Sequence, residues 1–247
     1  MAYFDILGYK SFFEKGNSYE FLNVIKEAVE DVKKSIHLAK ALNMDQEINY
    51  RVYSDNFLFY IEENNNELEA LMTLSFLLSK IQQLFLTKYS LLIRGGITKG
   101  SFYANEEYVF GAGLIRAYEL ENCFANYPRI IFDNQEEKFS QEIIKALEAN
   151  ERIQKDSDGY YYVQFLTDSV GPIDYDKMRG NIKKLANSCR YRNTTDKNKI
   201  IEKEKLISKY LWLITRYNHY VDKKNKTIID YDIIINENVL KPEVNCK

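Results

Sequence analysis

Apolar positions recur along this chain at two spacings, and each spacing predicts a different kind of element. Residues 18–42, 66–89 and 137–150 carry apolar side chains at helical intervals, which predicts three amphipathic helices. Residues 48–62 alternate around the polar break Ser54-Asp55-Asn56, which predicts two strands joined by a tight turn. Other runs rich in β-forming residues predict short strands at 1–9, 90–105, 127–133 and 159–166.

The order of these elements indicates the fold class. A strand, a helix, a hairpin, a helix and a strand follow one another, and this is the order of a ferredoxin-like α/β sandwich. The last third of the chain differs, because residues 174–220 are mostly helical in pattern and residues 205–221 carry aromatic stripes. We therefore predict an α+β fold with one domain over 1–170 and a helical C-terminal extension over 171–247 packed on it.

Composition narrows the class of protein. The formal net charge is -2, so the chain lacks the excess of Lys and Arg that non-specific nucleic-acid binding requires. We see no apolar run of the roughly 20 residues that span a bilayer, and no signal peptide. The three cysteines, Cys123, Cys189 and Cys246, have neither an even count nor zinc-site spacing. These features predict a cytoplasmic protein without a membrane or nucleic-acid partner.

Two aspartates are the first candidates for chemistry. Asp5 lies at the end of the first predicted strand, and Asp55 lies at the tip of the predicted hairpin. In a split βαβ sheet these elements are neighbours, so both carboxylates can meet at one edge. Two close carboxylates repel unless a cation neutralises them, and hard oxygen ligands suit Mg²⁺ or Mn²⁺. For either residue alone, an ordinary turn aspartate is the simpler reading.

Two glycine-rich segments follow, "RGGITKG" at 94–100 and "FGAGLIRAYELE" at 110–121. Their glycines allow close approach of the backbone, and Lys99 and Arg116 could neutralise a triphosphate. The alternative is a tight strand exit followed by a solvated helix face.

Taken in order, "FDILGYK", "YSDN", "RGGITKG" and "FGAGLIRAYELE" resemble the motifs of the class III nucleotidyl cyclase homology domain, over roughly residues 1–133. With "YPRIIFD" and the C-terminal helix "YLWLITRYN", the chain is most similar to the compact bacterial pyrimidine cyclases of the Pycsar anti-phage systems. The resemblance implies the class III cyclase α/β sandwich and two Mg²⁺ or Mn²⁺ ions per site. It also implies a head-to-tail homodimer, in which one chain supplies the metal ligands and the other reads the base.

The same resemblance implies roles for individual residues. The metal ligands would be Asp5, Asp55 and the backbone carbonyl of Ile6. Backbone groups that touch the phosphates would come from Leu7, Gly8 and Tyr9. The base-reading positions fall on Arg51 and Tyr108.

The chain departs from the family at two positions of the helix. The ribose-orienting Asn and the transition-state Arg align with Ile115 and Glu119, so Arg116, Lys99 or Arg94 would have to supply the missing positive charge. We predict a cyclase that converts UTP to 3′,5′-cyclic UMP and pyrophosphate, with CTP as the next substrate. The alternatives are a purine nucleotide cyclase and a degenerate cyclase-fold module that binds a nucleotide without turnover.

Overall fold

The computed structural model describes residues 1–8, 18–42, 46–62, 66–135, 138–187 and 197–233. The strands of this part of the chain are β1 Ala2–Ile6, β2 Asn49–Tyr53, β3 Asn56–Tyr60, β4 Ile93–Ile97, β5 Tyr103–Ala104, β6 Val109–Phe110, β7 Ile130–Phe132, β8 Ile153–Lys155 and β9 Tyr161–Val163. The α-helices are α1 Ser18–Ala41, α2 Glu67–Leu84, α3 Ala112–Glu119, α4 Gln141–Ala149, α5 Tyr175–Asn187 and α6 Lys197–Asp222. A π-helical turn continues α2 over Phe85–Tyr89 and α3 over Leu120–Phe124.

The main sheet has the order β2-β3-β1-β4-β7-β9-β8. Strand β1 is antiparallel to both of its neighbours, β3 and β4, whereas β4 and β7 are parallel. The first four strands have the arrangement of a ferredoxin-like βαββαβ unit, so the predicted α+β fold is confirmed. Strands β5 and β6 form a separate hairpin immediately before α3.

Buried and partly exposed side chains alternate along β1, so the two faces of the sheet differ in character. Ala2, Phe4 and Ile6 are buried, and Phe4 stacks on Phe57 with ring centroids 5.0 Å apart. These residues belong to a core that also contains buried apolar side chains of α1, α2 and α4. Tyr3 and Asp5 are only partly buried and lie on the opposite face, because successive side chains of a strand point to opposite sides. The polar side chains of β1 therefore lie on this second face, opposite the apolar core.

A glycine lets the end of α3 pack closely on this second face. A Cβ atom added to Gly96 would lie 2.3 Å from the Cβ of Leu120, a distance that no two carbon atoms tolerate without a shift. Leu120 is fully buried, and it opens the π-helical turn that follows α3. The close contact fixes the position of the next residue, Glu121, over β4.

Helix α2 is apolar enough to resemble a membrane span, but it forms the centre of the core. The segment Glu67–Tyr89 has a mean hydropathy of 1.3, and 72% of its apolar window is buried inside the protein. Two of its buried polar side chains bond to the chain itself: Ser79 Oγ donates to the carbonyl of Gln164, and Gln83 Nε2 donates to that of Phe165. The expectation that the chain has no apolar run of bilayer length is therefore wrong for this helix, although the helix is mostly buried.

Asp31 connects α1 to the end of α2. Its carboxylate accepts hydrogen bonds from Lys34 at 3.0 Å, from Tyr89 at 2.6 Å and from Lys88. Burial alone would raise the pKa of Asp31, but these three donors hold it well below its ordinary value. The ionised carboxylate therefore helps to keep the two helices together.

The chain divides into two compact units, Met1–Ile173 and Asp174–Lys247. In the second unit, Tyr217 Oη donates to the Tyr175 carbonyl at 3.2 Å and links α6 to the start of α5. Asn218 exchanges two hydrogen bonds of 2.7 Å with the backbone of Ile229, which fixes the segment after α6.

Candidate functional site

Asp5 and Asp55 lie at the same end of β1. Asp5 is paired in register with Asn56 on one side and with Arg94 on the other. The amide of Ile6 donates to the carbonyl of Asp55 at 3.2 Å, which joins the end of β1 to the β2–β3 turn. The structure thus brings the two aspartates together at one edge, where the hairpin frame predicts them.

Arg94 bridges two carboxylates at this edge. Its Nε lies 3.3 Å from Asp5 Oδ1, and its Nη2 lies 3.4 Å from Asp5 Oδ2. The same Nη2 lies 2.7 Å from Oε1 of Glu121, whose side chain is only 4% exposed. That contact is an ion pair but not an aligned hydrogen bond. Glu121 Oε1 accordingly has no hydrogen-bond partner among the described residues. One guanidinium therefore neutralises two partly or fully buried acids.

The pKa values at this edge reflect burial first and neighbouring negative charge second. Burial, followed by the negative charge of Asp5, raises the pKa of Glu121 to about 7. Burial also raises the pKa of Asp5, with a contribution from Asp55, although Arg94 works in the opposite direction. The pKa of Tyr3 rises to about 12 through burial and the neighbouring acids. A site in which several acids all bind protons more tightly than usual is one that favours an added cation.

A short chain of hydrogen bonds fixes the turn that carries Asp55. Tyr3 Oη donates to Asn56 Oδ1 at 2.7 Å, and Asn56 Nδ2 donates to Asp55 Oδ1 at 3.1 Å. Ser54 takes a left-handed conformation with φ of 58°, which closes the two-residue turn. Asp55 is therefore held by its neighbours rather than projecting freely from a hairpin tip.

The segment after β1 differs from the expected phosphate cradle. The amide of Leu7 donates to the carbonyl of Leu92 at 2.8 Å, so that hydrogen is already engaged within the sheet. Gly8 has a φ of 83°, and no atom of the described residues lies within 4 Å of the place where a Cβ would be. Tyr9 lies outside the described residues.

Arg51 and Tyr108 come together at the tip of the β5–β6 hairpin. Arg51 Nη2 donates to the Asn105 carbonyl at 3.0 Å, and the Asn105 side chain accepts from the amide of Tyr108 at 2.8 Å. The hairpin presents three half-exposed rings that contact one another, those of Tyr103, Tyr108 and Phe110. We call these three residues the aromatic hairpin.

Lys99 and Arg116 lie at the opposite end of the β1–β4 pair. Ala2 pairs with Ile97 in register, so Lys99 follows the end of β4 that is remote from Asp5. Lys99 comes five positions after Arg94, which corresponds to about 16 Å along a strand. The two basic residues expected to replace the missing positive charge therefore do not reach the Asp5 edge within one chain.

Both of these basic residues have acidic partners. Arg116 makes a two-pronged contact with the buried Asp133 at 3.0 and 2.8 Å, and a longer contact of 3.3 Å with Glu119. Lys99 Nζ lies 2.9 Å from Glu67. Ile115 is 63% exposed on the outer side of α3. The two departures from the family thus lie on an exposed helix face, next to a charged cluster.

The oxygen atoms at the end of β1 where Asp5 and Asp55 lie, the Asp5 edge, are of the kind that bind a hard divalent cation. The available donors are the carboxylates of Asp5 and Asp55 and the carbonyl of Ile6, all oxygens of the kind that Mg²⁺ and Mn²⁺ prefer. The buried Glu121 oxygen without a hydrogen bond is a further polar atom beside them. No group of three or more His, Cys, Asp or Glu side chains in the described ranges is already arranged around a metal position.

Glu121 is the functional candidate that sequence reasoning missed. It is the last residue of the segment "FGAGLIRAYELE". In that segment the resemblance to the cyclases singles out Glu119, two positions earlier, and not Glu121. An acid on a helix predicts a solvated side chain unless its packing is known. The available signal was the spacing that places Leu120 on the buried face of α3.

Comparison with solved structures finds similar chains, and one of them is an adenylyl cyclase. The crystal structure of the adenylyl cyclase CyaB from P. aeruginosa resembles the chain with a TM-score of 0.44 and 12% sequence identity, over 66% of this chain and 91% of that one. No family model matches the sequence. No curated protein matches it either. The functional proposal therefore rests on the residues of this chain.

Proposed function

We propose that this protein is a pyrimidine nucleotide cyclase, which converts UTP to 3′,5′-cyclic UMP and pyrophosphate. The observation that carries the proposal is the edge where Asp5, Asp55 and Arg94 meet beside Gly8, where an added Cβ would meet no atom of the described residues within 4 Å. Residues 1–170 would form the cyclase domain of a cytoplasmic enzyme. By the resemblance to the Pycsar cyclases, the product would be a second messenger of bacterial anti-phage defence.

The reaction needs little covalent work from the protein. The ribose 3′-oxygen attacks the α-phosphorus in line, the bond to the β-phosphate breaks, and the hydroxyl proton passes to solvent. Positioning and neutralisation of charge supply most of the rate in phosphoryl transfer. Asp5, Asp55 and the Ile6 carbonyl would hold Mg²⁺ or Mn²⁺, two per site by the resemblance. When bound, these ions would lower the pKa of the 3′-hydroxyl and neutralise the phosphates.

A second copy of the chain would complete the site. Within one chain the candidates fall into three clusters, at the Asp5 edge, at the aromatic hairpin and around Arg116. Lys99 lies roughly 16 Å along the strand from Arg94, which exceeds the reach of a lysine side chain. A head-to-tail homodimer would let the partner supply Arg51 and Tyr108 to the base and Lys99 or Arg116 to the phosphates. The exposed aromatic hairpin supports this arrangement, since exposed rings are enriched at protein interfaces.

The choice of a pyrimidine follows from the cluster of Arg51 and Tyr108. A pyrimidine ring is smaller than a purine, and the half-exposed Tyr108 ring could fill the remaining space. Arg51 has five N–H groups, and it donates two bonds to the carbonyls of Tyr50 and Asn105. The others suit the O2 and O4 acceptors of uracil. Cytosine shares O2 only, which makes CTP the second substrate.

A degenerate cyclase-fold module without turnover is the second candidate. Two observations favour it: Arg94 already neutralises Asp5, and Glu119 stands where the family has its transition-state Arg, in contact with Arg116. Such a protein would bind a nucleotide and release no pyrophosphate.

One assay separates these functions. Purified full-length protein is incubated with each of the four ribonucleoside triphosphates and Mn²⁺, and the products are separated by chromatography. We expect cyclic UMP as the main product and cyclic CMP as the next. Faster conversion of ATP or GTP than of either pyrimidine would indicate a purine cyclase. Nucleotide binding by calorimetry without any product would indicate the inactive module.

A further inference from the structure

The contacts of Arg94 are unequal. Its two approaches to Asp5 measure 3.3 and 3.4 Å, and its approach to Glu121 measures 2.7 Å. Charge-assisted N–H···O bonds usually measure about 2.7–2.9 Å. The two aligned hydrogen bonds of Arg94 go to Asp5, its direct partner in the sheet register, but they are long for a charged pair, and Nη2 lies closer to Glu121 than to Asp5.

The position of Glu121 is set by the packing of its neighbour Leu120, and the Glu121 side chain also lies within hydrogen-bonding reach of Asp5. Leu120 is fully buried against Gly96, where any larger residue would collide with it. The π-helical turn that begins at Leu120 places Glu121 over β4 with 3% of its surface exposed. A buried carboxylate needs a cationic partner, and Arg94 is the cation within contact distance among the described residues.

We propose that Glu121 is a positioning residue that draws Arg94 away from Asp5 and so keeps the Asp5 carboxylate accessible to a divalent cation. The inference rests on the proposed function, because that function requires a cation at Asp5. A guanidinium bound in full to Asp5 would compete directly with the cation for the same oxygens. Glu121 supplies Arg94 with an alternative partner that is already in place.

The test measures Mn²⁺ binding to the metal-free protein. Electron paramagnetic resonance reports how much Mn²⁺ stays free in solution. Four proteins are compared: wild type, Glu121→Gln, Arg94→Met and the double variant. We expect Glu121→Gln to bind Mn²⁺ about tenfold more weakly, because Arg94 then turns to Asp5. We expect the double variant to bind as Arg94→Met does, since no guanidinium remains to be held away. Glu121→Asp keeps the charge and should retain most of the affinity.

Three outcomes would overturn the inference. Equal affinity of wild type and Glu121→Gln would show that Glu121 does not hold Arg94 away. A double variant weaker than Arg94→Met would show that Glu121 is itself a ligand, and this comparison remains valid even if Glu121→Gln alone does not fold. No Mn²⁺ binding by wild type would overturn the proposed function together with this inference, whereas the first two outcomes leave the proposed function standing.

Discussion

The amide of Ile6 donates to the carbonyl of Asp55 at 3.2 Å, and this single bond joins the last residue of β1 to the turn of the β2–β3 hairpin. It holds two aspartates of different elements at one edge. Burial raises the pKa of Asp5, and repulsion from Asp55 adds a smaller contribution in the same direction. Acids with perturbed pKa values are concentrated at functional sites.

Asp5→Asn and Asp55→Asn should each lower the formation of cyclic UMP at least about 100-fold, a change of about 2.7 kcal/mol in the activation barrier. The amide keeps the shape of the side chain and removes the charge that holds the cation. Unfolding in urea without metal should show little loss of stability, because repulsion at the edge is relieved. Asp176→Asn is the matched control, since Asp176 is an exposed acid of the second unit. Near-normal pyrophosphate release by either edge variant would contradict the assignment.

Arg51→Ala should lower kcat/KM for UTP roughly tenfold to a hundredfold, because an acceptor buried without its donor costs about 1–3 kcal/mol. Any residual turnover of ATP should fall less, since the exocyclic amine of adenine offers no acceptor there. Steady-state rates with UTP, CTP and ATP measure the effect. Tyr103→Phe is the control, because it removes only the hydroxyl from another ring of the aromatic hairpin. An equal loss with UTP and ATP would show that Arg51 supports the hairpin rather than the base.

A mixture of Asp5→Asn chains with Arg51→Ala chains should regain activity. In a head-to-tail dimer, one of the two sites of each hybrid contains both intact residues. Half of the dimers in an equal mixture are hybrids, so about a quarter of the wild-type rate is expected. Size-exclusion chromatography of each variant checks that dimers form. No recovery at any mixing ratio would mean that both residues act from the same chain.

Asp31→Asn should lower the free energy of unfolding at pH 7 by about 1–3 kcal/mol, because Lys34, Lys88 and Tyr89 lose an ionised acceptor. The pKa of Asp31 is lowered in the folded protein, so this contribution is complete above the ordinary aspartate pKa near 3.9. It is lost as the pH falls below that value. Urea unfolding at pH 7 and at pH 3 should therefore show a smaller difference from wild type at the lower pH. A difference that does not change with pH would contradict this account.

Local pattern was enough to predict the elements that position the Asp5 edge. The alternation over 48–62 gave the β2–β3 hairpin, and helical spacing over 66–89 gave α2 with its π-helical end. The strand that local pattern missed, β8, has only three residues. Strands of that length carry too little alternation to be told from a loop.

Which residues meet at the site depends on strand register and side-chain packing. Neither can be read from the local sequence pattern. The antiparallel pairing of β1 with β4 places Arg94 beside Asp5 and sends Lys99 to the far end. The segment "RGGITKG" shows both residues five positions apart but does not indicate which one meets the aspartate. Glu121 is set by the contact between Leu120 and Gly96, a tertiary contact for which the local sequence offers only the spacing of Leu120.

If a second copy completes the site, as we propose, the separation of Asp5 and Lys99 to opposite ends of one strand pair has a consequence for the cell. A chain that needs a second copy to complete its site works as a concentration sensor. While most chains are monomers, the number of paired chains grows as the square of the amount of protein, so a doubling of expression gives about four times the output. Basal synthesis would then produce almost no nucleotide signal, and induction alone would switch the signal on.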